Sequence, residues 1–167
     1  MRRKVLVALA LFLLTLTATR VAAQGSDAGD GFRIGVYVGG ISTFGLSFEL
    51  FRDTHAIDMS LGTWSFRDLS FSAVYKEYIG GRALRPFAGA GFWVVAAAPA
   101  LEGERTGVAL VLRAPVGVDW AFVDQHAVGA ALNLNRGLAV RRSDPLDDLP
   151  MNRRIVPLPE LYYRFLP

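Results

Sequence analysis

The stretch V-A-L-V-L-R-A-P-V-G-V-D-W-A-F, from Val108 to Phe122, decides the fold class because two kinds of residue alternate along its whole length. One set of positions is entirely apolar: Val108, Leu110, Leu112, Ala114, Val116, Val118, Trp120 and Phe122. The intervening positions are mostly small and include Arg113 and Asp119. Successive side chains of a β-strand point to opposite faces. The stretch therefore predicts a long strand with one apolar face and one polar face.

The same period of two recurs on both sides of this stretch. The further alternating segments are residues 32–39, 44–51, 56–62, 69–76, 85–98, 128–135 and 160–165. The segment 85–98 is nearly all small or apolar, so its faces are harder to assign. We predict that Phe92 and Val94 point outward with Ala88 and Ala90, and that Trp93 points inward with Gly89 and Gly91. The sequence thus predicts an all-β chain of eight antiparallel strands.

Charged residues within the predicted strands fall on the less apolar face. That face carries four cations and four anions: Arg33, Lys76, Arg113, Arg164, Glu49, Asp58, Asp119 and Glu160. A transmembrane barrel turns its apolar side chains toward lipid and its polar side chains toward the lumen. The lumen of an eight-stranded barrel is just wide enough for side chains to fill. We therefore predict that these eight residues form a structural charge network that plugs the lumen.

The connections between the predicted strands alternate in length. Three of them are short, at residues 53–54, 80–84 and 123–125. The others are residues 40–43, 63–68, about 99–106 and about 136–157, and two of these are long. Short turns at one end and longer loops at the other are typical of up-and-down barrels in the outer membrane. This alternation predicts that both chain termini lie on the periplasmic side.

A soluble lipocalin-like barrel that binds a ligand is the main alternative architecture. Its apolar face would turn inward and its eight strand charges would turn toward water. So few outward charges would remain to keep it soluble, and the bulky Leu, Phe and Trp residues would overfill a small interior. The sequence favours the membrane barrel.

The first 23 residues have the pattern of a secretion signal. Met1 to Lys4 is positively charged, 5–19 is apolar, and Val21-Ala22-Ala23 supplies the small residues of a cleavage site. The apolar run is shorter than the roughly 20 residues that a membrane-spanning helix needs. We predict a cleaved Sec-type signal peptide at residues 1–23, a short linker at 24–31 and a barrel domain at 32–167.

Removal of this segment changes the charge of the chain. The full sequence carries 18 basic and 15 acidic residues, and the segment takes four basic residues with it. The remaining 14 basic residues face 15 acidic ones, so the net charge falls from +3 to −1. The predicted mature chain therefore has no excess of positive charge that would indicate a nucleic-acid partner.

Residues that carry catalytic or metal chemistry are few. The sequence has no cysteine, which excludes disulfides and thiolate metal sites, and its two histidines are His55 and His126. Asp53 and Asp124 flank them without the spacing of a recognised metal site. No Gly-x-Gly-x-x-Gly loop and no recognisable Ser–His motif is present. We predict no enzyme activity, no cofactor and no metal; a lipid-modifying outer-membrane enzyme is the alternative.

The predicted barrel resembles the small eight-stranded outer-membrane barrels of the OmpA/OmpX type. The resemblance covers roughly residues 32–165 and includes the segment Arg85-Pro86-Phe87-Ala88-Gly89-Ala90-Gly91 and a last strand with alternating aromatic residues. It implies a location in the cell outer membrane of a Gram-negative envelope and insertion by the barrel-assembly machinery. Barrels of this type usually end on an aromatic residue, whereas this chain continues past Phe165 with Leu166 and Pro167.

The sequence thus predicts a non-catalytic outer-membrane barrel that serves envelope structure or surface contacts through its outer loops. Its expected partners are outer-membrane lipid, lipopolysaccharide and the barrel-assembly machinery, and it is expected to be a monomer that binds no nucleic acid. The charged run from Arg141 to Asp148 lies in the last outer loop. It could bind a partner or divalent ions that bridge lipopolysaccharide, or it could be a solvated loop tip.

Overall fold

Eight antiparallel strands form a closed barrel. The computed structural model describes residues 31–79, 83–99, 105–123, 125–144, 146–147, 151 and 153–167. The strands are β1 (Gly31–Gly39), β2 (Ser42–Arg52), β3 (His55–Thr63), β4 (Asp68–Tyr78), β5 (Leu84–Ala97), β6 (Gly107–Val123), β7 (His126–Arg141) and β8 (Ile155–Phe165). Each strand pairs with the next along the chain, and β8 pairs with β1 to close the barrel. The predicted all-β fold with eight up-and-down strands is confirmed.

Two ends of the barrel can be told apart by their connections. We call the end with the connections 53–54, 79–83 and 124–125 the turn end; it also carries the start of β1 and the end of β8. The opposite end, with the connections 40–41, 64–67, 98–106 and 142–154, is the loop end. The predicted signal peptide at 1–23 and all but the last residue of the predicted linker lie outside the described residues. Within the described part of the chain, no helix is long and apolar enough to cross a membrane.

Side-chain burial alternates along the strands as the sequence predicts. In β6, Arg113 and Asp119 are buried inside the barrel, whereas Leu112 and Val116 are exposed on its outer surface. In β5, Phe87 and Trp93 are buried while Ala88, Phe92 and Val94 are exposed, which is the predicted phase of that strand. The apolar face of each strand thus points outward.

The first connection at the loop end is tight. Gly39 and Gly40 have φ angles of 82° and 68°, a backbone region that residues with a side chain rarely adopt. The Gly40 backbone N–H donates to the Pro159 carbonyl over 2.7 Å, which ties this turn to β8. The next residue, Ile41, is completely buried. The turn therefore folds back into the barrel mouth.

The predicted loop at 136–157 is wrong at both ends. Strand β7 continues to Arg141 and β8 already begins at Ile155, so the connection shortens to residues 142–154. A register shift in the β6–β7 pair leaves Leu138 as an extra residue between Gly137 and Ala139. Such a bulge breaks the period of two, so the alternation in the sequence does not predict where the strand ends.

Two prolines explain why the sequence did not predict the start of β8. Pro157 and Pro159 pair with β7, but the β1–β8 ladder begins only at Glu160. The first residues of β8 therefore form an edge at which a missing backbone N–H is tolerated. Pro115 in β6 is accommodated in a comparable way, because the β5–β6 ladder skips from Val116 to Arg113.

Candidate functional site

The largest group of charges in the barrel surrounds Arg164 of β8. This side chain is almost completely buried, and its guanidinium faces carboxylates from three other strands. Arg164 Nη2 lies 2.5 Å from Asp58 Oδ2, and Nη1 lies 3.2 Å from Glu49 Oε1. Nη1 is also 3.4 Å from Asp119 Oδ1. Arg164 therefore links β2, β3 and β6 across the lumen.

Two more cations share these carboxylates. Lys76 of β4 forms an ion pair with Asp58, and its Nζ lies 3.8 Å from Glu49 Oε1. Arg33 of β1 lies 3.2 Å from Glu49 Oε2 and 3.4 Å from Asp119 Oδ2. Every carboxylate in this group contacts at least two cations. Shared contacts of this kind offset the desolvation that burial of each charge requires.

Tyrosine hydroxyls complete the coordination of the buried carboxylates. The Tyr78 hydroxyl lies 2.5 Å from Glu49 Oε1 and 3.1 Å from Asp119 Oδ2. The Tyr162 hydroxyl donates to Asp119, and the Arg164 guanidinium carbon lies 4.0 Å from the centroid of the Tyr162 ring. These aromatic rings fill the space between the charges and satisfy their remaining lone pairs.

A second, smaller polar group lies around Arg113 of β6. Arg113 Nη2 donates to Glu160 Oε2 over 2.8 Å, and Nε donates to Asn133 Oδ1 over 2.7 Å. Its Nη1 donates to Ser72 Oγ over 2.9 Å. Asn133 in turn donates to Glu160 over 3.2 Å. All three guanidinium nitrogens thus have a partner.

Several apolar residues are buried inside the barrel nearer the loop end. Ile41, from the first turn, belongs to a buried cluster that also contains Tyr37 and Trp93. The cluster extends to the turn end through Tyr78, Phe87 and Tyr162. Four partly buried residues pack against it: Phe51, Val95, Val111 and Leu158. Along β6, Arg113 lies between Val111 on the loop side and Asp119 on the turn side. The Arg113 group therefore lies between the charges around Arg164 and the apolar side chains near Ile41.

Glycines on the inner face make room for the large inward rings. A methyl group added at Gly62 would lie 2.4 Å from the Tyr37 hydroxyl, and one added at Gly45 would lie 2.5 Å from it. The Tyr37 hydroxyl accepts a hydrogen bond from Ser42 Oγ over 2.8 Å. Neither glycine can carry a side chain without displacing this ring.

All eight residues that we expected in the lumen lie inside the barrel, but they form two groups rather than one. Six of them cluster around Arg164, and the remaining two, Arg113 and Glu160, pair with each other. Sequence reasoning missed Arg85 of β5, whose Nη2 lies 3.7 Å from Asp119 Oδ2 and whose guanidinium lies 4.9 Å from the Tyr78 ring centroid. The predicted phase of β5, extended to Arg85, would have included it.

The two histidines lie on the outside at the turn end. His55 contacts Glu77 and the Tyr75 hydroxyl, the latter over 2.7 Å. His126 Nδ1 lies 2.5 Å from the Tyr163 hydroxyl. In the described residues, no three His, Cys, Asp or Glu side chains are grouped so as to hold a metal ion.

Comparison with known proteins rests on structure. No protein-family model and no curated protein sequence matches the chain. A solved structure that is similar is the crystal structure of the N-terminal β-barrel domain of Pseudomonas aeruginosa OprF. It superimposes with a TM-score of 0.60 at 16% sequence identity, over 84% of this chain and 99% of that chain. The resemblance to small outer-membrane barrels is therefore confirmed for the fold: this chain has the eight-stranded barrel fold of that OprF domain.

Proposed function

We propose that this protein is a non-catalytic β-barrel of the bacterial outer membrane, with a lumen closed by its own side chains. Its turn end faces the periplasm and its loop end faces outward. It serves envelope structure or surface contacts through the loop end. The observation that carries this proposal is the distribution of side chains, with charges buried inside and apolar residues exposed outside.

The exposed apolar surface supports a lipid environment. Every strand presents large apolar residues that are between about a third and two thirds exposed, for example Val36, Leu50, Ile57, Phe71 and Leu161. A soluble monomer rarely exposes a continuous apolar patch larger than a few hundred Å². The lipocalin-like alternative requires the reverse arrangement, with an apolar ligand cavity inside, and the buried charges around Arg164 oppose it.

Aromatic residues at both ends further support a membrane position. At the turn end, Trp120, Phe122, Tyr75 and Tyr163 are exposed. At the loop end, the exposed aromatic residues are Phe44, Trp64 and Phe66. Aromatic girdles at both interfaces are typical of transmembrane barrels. The strands have 9 to 17 residues, enough for tilted strands to cross a bilayer.

The buried side chains inside the barrel support a structural role over a general pore. The charges around Arg164 and the buried cluster that contains Ile41 both lie in the interior. The lipid-modifying alternative has less support, because the polar contacts of both histidines are with tyrosine and glutamate side chains on the outer surface at the turn end. Lipid A from cells with and without the protein should therefore give the same mass spectrum, and a change in its acyl chains would contradict the proposal.

Migration in detergent gels tests the membrane barrel. Protein extracted from the outer-membrane fraction should migrate differently before and after boiling, because a folded transmembrane barrel resists detergent until it is heated. Fractionation of the cells is the matched control for location. A soluble periplasmic protein with the same migration in both samples would contradict the proposal.

A further inference from the structure

The outer surface carries exposed arginines at the loop end of β6, β7 and β8 that have no carboxylate partner among the described residues. We call Arg105, Arg136, Arg141 and Arg153 the rim arginines; all four are exposed. Arg105 Nε donates to the Arg142 carbonyl over 3.2 Å, and Arg141 Nη2 donates to the Thr106 carbonyl over 3.3 Å. Both acceptors are neutral backbone groups. Neither bond therefore compensates the positive charge.

The neighbouring Arg142, by contrast, has its positive charge compensated by a carboxylate. Its Nη1 donates to Asp147 Oδ2 over 2.9 Å. Among the described residues, none of the rim arginines has an ion pair with a carboxylate. The rim arginines thus leave positive charge available to an anion from outside the chain.

Arg136 differs from a solvated loop residue because it lies within a strand and points outward. Its cross-strand neighbours are Leu112 on β6 and Ile155 on β8. Leu134 and Leu138 precede and follow it along β7, and all four of these apolar side chains are exposed. An anion bound to Arg136 would therefore lie beside exposed apolar side chains, which suits an anionic lipid.

The height of Arg136 agrees with the boundary of a bilayer. Ten residues separate it from His126 at the turn end. At about 3.3 Å per residue and a tilt of about 40°, this distance corresponds to roughly 25 Å along the membrane normal. The apolar band of outer-membrane barrels is also about 25 Å tall. Arg136 therefore reaches the level of the lipid headgroups at the loop end.

Arg141 and Arg105 lie further from the bilayer. Arg141 follows Arg136 by five residues on β7. Arg105 lies near Arg141, because the Arg105 backbone N–H donates to the carbonyl of Ser143, two residues after Arg141. The step from Arg136 to Arg141 corresponds to roughly 12 Å of additional height with the same rise and tilt. A phospholipid carries its phosphate at one height. A lipopolysaccharide carries phosphates on its acylated base and also on sugars further out.

From this arrangement we propose that the rim arginines form a binding site for lipopolysaccharide on the β6–β8 face. Arg136 binds a phosphate of the acylated base, while Leu112, Leu138 and Ile155 contact the acyl chains. Arg105 and Arg141 bind phosphates of the sugar region. Guanidinium groups suit this role because their planar donors match phosphate oxygens. The assignment rests on the proposed function, which makes the loop end the outer side.

Binding of purified lipopolysaccharide to the detergent-solubilised full-length barrel tests the site. The double variant Arg136→Gln/Arg141→Gln should raise the Kd about thirtyfold, since each arginine near a lipid surface contributes about 1 kcal/mol. The matched control is Arg52→Gln/Arg67→Gln, which removes two exposed arginines elsewhere and should leave the Kd within about twofold. If both double variants raised the Kd equally, the effect would come from the net charge of the protein, and the proposed site would be overturned.

Competitors distinguish the lipid classes. Dephosphorylated lipopolysaccharide should compete poorly, and neither phosphatidylglycerol vesicles nor inorganic phosphate should displace the bound lipid at equal phosphate concentration. Equal competition by phosphatidylglycerol would overturn the assignment to lipopolysaccharide. Each sample is also run in gels with and without boiling. Loss of heat-modifiable migration in the wild type would refute the membrane barrel, whereas normal migration with unchanged binding in the Arg136/Arg141 variant would refute only the lipid site.

Discussion

Arginines in the lumen and arginines at the rim have the same side chain but opposite surroundings. Arg164 is almost completely buried and contacts Glu49, Asp58 and Asp119. Arg141 is exposed and hydrogen-bonds to a backbone carbonyl. The difference shows how environment assigns the role: a buried guanidinium must be neutralised within the fold, whereas an exposed one can retain its charge for a ligand.

The two groups should also differ in their contribution to stability. Removal of one partner from a buried ion pair leaves an uncompensated charge and typically costs about 3–5 kcal/mol. Substitution of an exposed side chain outside a packed region usually changes stability by less than about 0.5 kcal/mol. Four substitutions follow in descending order of expected effect; three of them test this contrast, and Gly62→Ala tests the packing of the interior.

Asp58→Ala should cause the largest loss of stability. Asp58 contacts both Arg164 and Lys76, so its removal leaves two buried cations with fewer partners. We expect the free energy of unfolding to fall by about 5 kcal/mol, at the upper end for a broken buried pair. Urea titration of the barrel in lipid vesicles measures it. Asp144→Ala, at the exposed loop end, is the matched control, and similar losses for both variants would contradict the buried network.

Arg113→Ala should cause the next largest loss. It leaves Glu160 buried without its cation and removes the hydrogen bonds to Asn133 and Ser72. We expect a decrease of about 3 kcal/mol in the same urea titration. Arg142→Ala removes the same side chain from the partly exposed pair with Asp147 and should cost less than about 1 kcal/mol. Equal losses for both variants would mean that the contribution of Arg113 to stability does not depend on its inward position.

Gly62→Ala should have a smaller effect that depends on packing rather than charge. The added methyl group would lie 2.1 Å from Ser42 Oγ and 2.4 Å from the Tyr37 hydroxyl. Overpacking of this kind costs about 1–3 kcal/mol. Removal of the hydroxyl by Tyr37→Phe should reduce the cost of Gly62→Ala in a double-mutant cycle. Strict additivity of the two substitutions would show that they do not share this space.

Arg136→Gln should have the smallest effect on stability. The side chain is exposed on the outer surface and has no ion pair among the described residues. We expect the free energy of unfolding in phospholipid vesicles to change by less than about 0.5 kcal/mol. Urea titration without lipopolysaccharide provides this measurement. A loss as large as that of Arg113→Ala would assign Arg136 to the fold rather than to a ligand.

Local alternation explains what the sequence could predict. Whether Arg113 or Leu112 points into the lumen follows from the period of two within a single strand, so the faces of β6 were predictable without any knowledge of its neighbours. The same reasoning assigned Glu49, Asp58 and Arg164 to the lumen. The fold class followed from eight repetitions of this pattern.

Pairing between distant residues explains what the sequence could not predict. The division of the charges into a group around Arg164 and the pair Arg113–Glu160 depends on the register of all eight strands, which no single segment determines. The bulge at Leu138 has the same nonlocal origin, because it is defined only against β6. Arg85 was missed for a different reason: the faces of β5 were assigned correctly from Ala88 to Val94, but the assignment was not extended back to Arg85.

Conductance of the purified barrel in planar bilayers tests the central claim most directly. The charges around Arg164 and the buried cluster that contains Ile41 both lie inside the barrel. We therefore predict no large, steady conductance from the wild-type protein after its folding has been verified in gels. A large, steady current from the folded wild-type barrel would contradict the account of a lumen that is closed by its own side chains.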